Sequence, residues 1–235
     1  MSFLKAEWRK LIMINYKVNP DVLQPYLPNG VNLDVYKNTC YVSLVGFMFL
    51  NTKILGIKVP YHVNFEEVNL RFYVKRYIGN SYKRGVVFIK EIVPKPALTF
   101  VANTVYKEHY QTLPMTHHWE ETKENLDICY QWKTQEKWNR IAVITEKKAL
   151  PIAPNSETEF IAEHYWGYSK VNQQKTTEYE VTHPIWSYYP VKDVLIDVDF
   201  EFTYGKAFSF LQHQQPKSVM LLEGSQITVE SKIVF

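Results

Sequence analysis

The sequence predicts a mostly β (α+β) fold: an antiparallel β-barrel or cone flanked by a few short helices. Three observations predict it. Pairs of apolar, β-branched and aromatic segments follow one another along the chain in hairpin fashion. Only eight glycines and 12 prolines punctuate 235 residues, so the connections are short. A sheet system of this length is large enough to close on itself, which removes exposed edges. No linker, repeat or low-complexity stretch divides the chain, so residues 1–235 read as one domain.

The elements follow in order. Residues 7–18 read as a strand that ends at Asn19-Pro20. Residues 20–27 read as a short helix, with Asn19 as its cap and Pro20 in its first turn. Residues 31–36 and 39–53 form a hairpin across Lys37-Asn38, and residues 67–77 and 84–93 form a second. Residues 99–110 read as a further strand closed by Pro114. Residues 128–132 and 140–145 are weaker strands, and residues 157–163 a short helix. Residues 165–171 and 176–183 form another hairpin. Apolar spacing at Val198, Phe202, Phe208 and Leu211 predicts a helix over 197–211. Two strands, 218–222 and 226–235, end the chain.

Composition narrows the function classes. A net charge of +3 is too mild for a nucleic-acid partner. The tightest basic group, Lys75, Arg76, Lys83 and Arg84, brackets Gly79-Asn80-Ser81 and reads as a solvated hairpin tip. Cys40 and Cys129 stand far apart with no CxxC, which favours a reduced, cytoplasmic protein. The N-terminus carries charges too early for a signal peptide, and no run approaches the ~20 apolar residues of a spanning helix. The expectation is therefore no membrane partner. Aromatic richness and strand edges leave a homo-oligomer open. No nucleotide-binding or serine-hydrolase motif occurs, so no cofactor is expected. His117 and His118 are adjacent and point apart in a strand, and no close Cys/His set exists, so no metal is expected.

The candidate chemistry lies in residues 67–74. Val68, Leu70, Phe72 and Val74 fall on one strand face; Glu67, Asn69, Arg71 and Tyr73 fall on the other. A carboxylate, an amide, a guanidinium and a phenol in one row can hold a polar ligand and shift one another's pKa. A solvent-facing strand surface gives the same alternation. Further polar groups sit in apolar surroundings: Asn103, Tyr106, Glu108 and His109, then Glu163 and His164, then His183. His164, Trp166 and Tyr168 share a face if that segment is extended, and an aromatic-and-His wall suits a small organic ligand. A satisfied core histidine among packed rings reads equally well.

Eight segments carry a resemblance when taken together and in order: EWRKLIMINYKV, LDVYKNTCYVSLVGFMF, NFEEVNLRFYV, RGVVFIKEIVP, VANTVYKEHYQTLPM, EFIAEHYWGYS, YEVTHPIW and SVMLLEGSQITV. With them the chain resembles the YqjF-like family of uncharacterised bacterial proteins, in the acetoacetate decarboxylase-like superfamily. The resemblance implies a β-barrel or cone around a ligand cavity. In acetoacetate decarboxylase that cavity holds a lysine that forms a Schiff base with a keto acid, and a glutamate on a neighbouring strand. Glu67 best matches that glutamate and is the best catalytic candidate. The lysine directly follows a proline, whereas Met115 follows Pro114 here.

Three readings follow. The first is a protein that binds a small organic molecule, carboxylate- or keto-bearing, without the lysine. Its ligand-binding candidates are Glu67, Asn69, Arg71, Asn103, Tyr106, His164, Trp166, Tyr168 and His183. The second is a decarboxylase- or aldolase-type lyase using a relocated lysine, Lys107 or Lys90. The third is a structural or interaction protein whose interior is filled by side chains.

Overall fold

The computed structural model describes residues 2–135 and 137–235. Its strands are β1 (Leu4–Lys17), β2 (Asn32–Leu33), β3 (Tyr41–Ile54), β4 (Phe65–Ile78), β5 (Ser81–Val93), β6 (Tyr110–Thr112), β7 (Met115–Glu121) and β8 (Asn125–Thr134). They continue as β9 (Lys137–Glu146), β10 (Leu150–Pro151), β11 (Trp166–Lys170), β12 (Thr176–Thr182), β13 (Ser187–Tyr189), β14 (Val191–Asp197), β15 (Ser218–Val229) and β16 (Ile233–Val234). Among the described residues four short α-helices intervene: α1 (Pro20–Leu23), α2 (Pro96–Val101), α3 (Glu157–Ala162) and α4 (Phe200–Tyr204).

Among the described residues the strands form two sheets. The large one has 12 strands in the order β10-β13-β15-β1-β3-β4-β5-β11-β12-β16, with β2 on β4 and β6 on β5. The small one runs β14-β9-β8-β7. The mostly β, α+β expectation holds, but the closed antiparallel barrel does not. The large sheet is mixed, because β11 and β6 both pair with β5 in parallel. Its strand path keeps two ends, β10 and β16. Pairing of β12 with β15 is limited to Val181↔Val229 and Thr182↔Thr228. The cause lies in the connections. A parallel neighbour needs a crossover, and the chain leaves β5 through helical turns before β6, and again through the small sheet and α3 before β11.

The large sheet is buried on both faces. One face, with Val68, Leu70 and Phe72, packs against Ile128, Tyr130, Trp132 and Ile141 of the small sheet and against Phe200 and Phe208. The other carries Val45, Phe47, Tyr73 and Phe88, which pack with Phe160 of α3 in a second core. The alternation along β4 therefore separates two interiors rather than inside from outside. Cys40 and Cys129 are both free and buried. Among the described residues no helix is long and apolar enough to cross a membrane.

Several elements follow the sequence closely. The Asn19 side chain accepts a hydrogen bond from the Asp21 amide at 3.0 Å and caps α1. We expect Asn19→Ala to lower stability by about 1 kcal/mol, the usual value of such a cap, measurable by urea titration. Other elements differ for local reasons. The expected strand over 99–110 is α2 followed by a π-helical turn, Ala102–Tyr106. Pro96 sets the helical start, and Ala97, Leu98, Val101 and Ala102 fall on one helical face. Residues 31–36 do not pair with β3; β2 pairs with Lys75 and Val74 of β4, and only Tyr36↔Thr39 bridges the expected turn. The helix over 197–211 breaks at Gly205, whose φ of 93° no L-residue holds comfortably. Residues 218–229 form one strand across Gly224, not two.

The basic hairpin is not a free tip. Glu178, nearly fully buried, takes Arg76 at 2.9 Å and Lys83 at 2.6 Å. Asp34 takes Arg84 at 2.8 Å and Lys75 at 3.6 Å.

Candidate functional site

A cavity of about 290 Å³ lies against β4, between the large sheet and the roof made by α2 and its π-helical turn. Its wall is largely apolar, with Trp8, Phe47, Phe49 and Phe88 among its residues. The expectation of an interior filled by side chains is not met. Into this wall β4 places Glu67, Asn69 and Arg71, only 2%, 1% and 8% exposed. The row alternates because the strand does, and it is buried because α2, its π-helical turn and β6 close over its own face, while the small sheet covers the opposite one. Tyr73 continues the row but lies outside the cavity. Its hydroxyl bonds Ser43 at 2.7 Å, and Ser43 in turn donates to Asn15 at 2.6 Å.

A one-residue bulge shapes the neighbouring wall. On β5, Phe88 faces Arg71, Lys90 faces Leu70 and Glu91 faces Asn69, with Ile89 extra. Simple alternation would put Lys90 on the same face as Phe88. The bulge inverts the parity, so Glu91 enters the cavity and Lys90 turns away to donate to the Thr203 carbonyl of α4. Beyond α2, Lys107 adopts φ 60° and is exposed. Glu108 follows it into the wall, and Tyr110 arrives beside Glu91 on β6. Tyr179 approaches from β12 because Gly167 has no side chain; a Cβ there would overlap the Tyr179 ring.

Three carboxyls thus share one buried space. Asn69 Nδ2 donates to Glu67 Oε1 at 2.9 Å, and the Tyr110 hydroxyl donates to Oε2 at 3.2 Å. Burial still lifts Glu67 to about 7, against the pull of these two donors and Arg71. Burial lifts Glu108 to about 8, tempered by the nearby Tyr179 and Ser169 hydroxyls, although neither Glu108 oxygen has a hydrogen bond of good geometry. Glu91 is raised well above the carboxylate range by burial and by the charges of Glu108 and Glu67. Arg71 Nε, Asn69 Oδ1 and Glu91 Oε2 are buried without partners.

Of the other candidates, Tyr106, His164 and Trp166 line the cavity. His164 Nε2 lies 3.4 Å from Asp34 Oδ2, and burial lowers its pKa to about 4, so the ring is neutral. Asn103, Tyr168 and His183 do not reach the cavity. Asn103 clamps the Tyr110 backbone, donating to its carbonyl at 2.9 Å and accepting from its amide at 2.7 Å. Tyr168 packs in the opposite core beside Phe235. His183 stacks between Tyr165 and Trp186, with ring centroids 4.6 and 4.0 Å away. Sequence reasoning left out Glu91, Glu108, Tyr110 and Tyr179 as binding residues. A glutamate inside the apolar run 86–93 was the available signal for Glu91. Among the described residues no lysine lines the cavity, and no three His, Cys, Asp or Glu side chains are arranged to hold a metal ion.

Residues 5–226 match the model of the family DUF2071, described as an uncharacterized conserved protein. The chain belongs to the DUF2071 family. No curated protein matches this DUF2071 chain in sequence. Solved structures do match its fold. The enduracididine biosynthesis enzyme MppR, solved with pyruvate, superposes with a TM-score of 0.68 at 9% identity over 100% of this chain and 91% of its own. Acetoacetate decarboxylase from Legionella pneumophila gives 0.65 at 12% identity, over 99% and 86%. An acetoacetate decarboxylase-like enzyme from Sphingomonas wittichii RW1 gives 0.60 at 9% identity, over 100% and 91%. At these identities the likeness shows the fold alone, which this DUF2071 protein shares with those enzymes.

Proposed function

We propose that the cavity binds a small keto acid, with Arg71 as the anchor of its carboxylate and without a covalent imine. The observation that carries this reading is the Arg71 guanidinium: a buried cation on the wall of an apolar cavity, with Nε unpartnered. A buried charge needs a counter-charge; burial holds Glu91 and Glu108 toward their neutral forms, and Glu67 spends its two oxygens on Asn69 and Tyr110. A carboxylate from the ligand supplies the missing partner. The volume, about 290 Å³, sits at the lower end of ligand pockets and suits a small molecule. The shared fold supports the keto-acid class, because MppR was solved with pyruvate. The lyase reading with a relocated lysine has no support in the geometry, since Lys90 bonds Thr203 and Lys107 is exposed.

The test is a thermal-shift and calorimetric titration with pyruvate, 2-oxobutanoate and acetoacetate, and with their carboxamides as controls. The acids raise the melting temperature and the amides do not. Arg71→Met stays folded and weakens acid binding by roughly 30- to 150-fold, the value of a charge-assisted pair of about 2–3 kcal/mol. Equal binding of acid and amide, or unchanged binding to Arg71→Met, sinks the reading. Borohydride in the presence of pyruvate leaves the protein mass unchanged.

A further inference from the structure

Holding a carboxylate requires Arg71; it does not require three buried carboxyls. We propose that Glu67 and Glu108 form a base–acid pair that moves the proton on the carbon beside the ligand's carbonyl, so that the protein interconverts keto and enol forms of its ligand without an imine. The proposal rests on the keto-acid reading above.

The two groups differ in what surrounds them. Both Glu67 oxygens accept hydrogen bonds, from Asn69 Nδ2 at 2.9 Å and from the Tyr110 hydroxyl at 3.2 Å. Two converging donors, with Arg71 four residues along on the same strand face, favour the carboxylate. Both Glu108 oxygens are buried and lack a partner of good geometry, as does Oε2 of Glu91. An ionised carboxylate left so would carry a full desolvation penalty. Like-charged neighbours in one dry space cannot all ionise, so the cluster holds a base and an acid together. All of these groups line the cavity that Arg71 faces. A pair of carboxyls kept in opposite protonation states is the equipment of general acid–base catalysis.

The step balances without a co-reactant. Glu67 takes the proton from the α-carbon, and the C–H electron pair becomes a C=C bond. The carbonyl π pair moves to oxygen, which takes the proton of Glu108. The enol leaves Glu67 protonated and Glu108 ionised; the reverse step restores both. Nothing is oxidised or reduced. Arg71 fixes the carboxylate end, which aligns the α-carbon for the transfer.

Deuterium exchange tests this directly. The protein is incubated in D2O with pyruvate or 2-oxobutanoate, and the α-proton signals are followed by proton NMR beside the thermal-shift titration. Wild type is expected to accelerate exchange at least 100-fold over buffer. Glu67→Gln and Glu108→Gln each lose at least 100-fold of that acceleration while keeping pyruvate-induced thermal stabilisation; Lys90→Ala retains full exchange. Binding by wild type with no exchange above buffer overturns the base–acid pair and leaves the binding reading standing. Exchange that survives in both glutamine variants, or that borohydride abolishes, also overturns the pair. Absence of any thermal shift with these acids overturns the binding reading and the pair together.

Discussion

Gly224→Ala is expected to lower stability by about 3 kcal/mol or more, and the melting temperature by roughly 6–12 °C for a chain of this size. Two costs add. Gly224 has φ 79°, a conformation that costs a residue with a Cβ roughly 1–2 kcal/mol. The new Cβ would also fall on the Trp8 carbonyl and within 2.9 Å of a Leu11 methyl. Backbone cannot rotate away as a flexible side chain can, so β1 and β15 must separate locally, at an overpacking cost of about 1–3 kcal/mol. The site is central, since Arg9↔Gly224 lies within the long β1–β15 ladder. Gly56→Ala is the control. Gly56 has φ 84° but nothing within 4 Å of the added carbon, so it carries only the conformational cost of about 1 kcal/mol. Guanidinium titrations of both variants measure the difference. Equal losses would mean that the backbone crowding at Gly224 is relieved for free. Because Trp8 lines the cavity, Gly224→Ala should also weaken acid binding, and Gly56→Ala should not.

How much of this was legible in the sequence depends on the residue. Glu67, Asn69 and Arg71 were, because period-2 alternation survives along β4 and needs no knowledge of the partner strands. Whether their face met solvent or a cavity was not, because that depends on α2 and its π-helical turn roofing that face. Glu91 was hidden by the bulge at Ile89, which inverts side-chain parity and leaves no mark in the residue types. Its effect is large, as it exchanges a lysine for a glutamate on the cavity wall. Glu108 and Tyr110 were hidden by the strand assigned over 99–110: β-branched residues there outweighed the helical spacing of Ala97, Leu98, Val101 and Ala102. The barrel was inferred from strand count and length, which do not reveal that β7, β8, β9 and β14 leave to form a sheet of their own. Tyr168 and Trp166 share strand parity, yet only Trp166, the first residue of β11, reaches the cavity.

Stability is expected to fall as pH rises from 6.5 to 8, by roughly 3–5 kcal/mol, with each unit of pH contributing about 1.36 kcal/mol per group that only the folded chain keeps protonated. The unfolded carboxyls lose their protons around 4.5, whereas folding raises Glu67 to about 7, Glu108 to about 8 and Glu91 well above its ordinary range. Across that interval the folded state binds more protons, so stability declines with pH until each folded group ionises. The buried histidines act oppositely but lower on the scale. His164 and His183 fall from 6.5 to about 4, so their contribution is lost as pH drops through 6.5 toward 4 and is nearly constant only above about 7.5. Asp34, held at about 2 by the His164 ring and Arg84 against its burial, matters only in stronger acid. Above 6.5 the carboxyl cluster therefore dominates the slope, opposed only by the last release of protons from the unfolded histidines. Urea titrations at pH 6.5 and 8 measure the fall, and the double variant Glu91→Gln/Glu108→Gln should flatten it and be the more stable protein at pH 8, because a neutral amide keeps the shape and removes the charge. A wild-type profile that is level over this interval would mean that the carboxyls are already ionised and paired in the folded state, which would also deprive Glu108 of the proton that the keto–enol step requires. A saturating keto acid should raise stability across the interval, since its carboxylate occupies Arg71 only in the folded state.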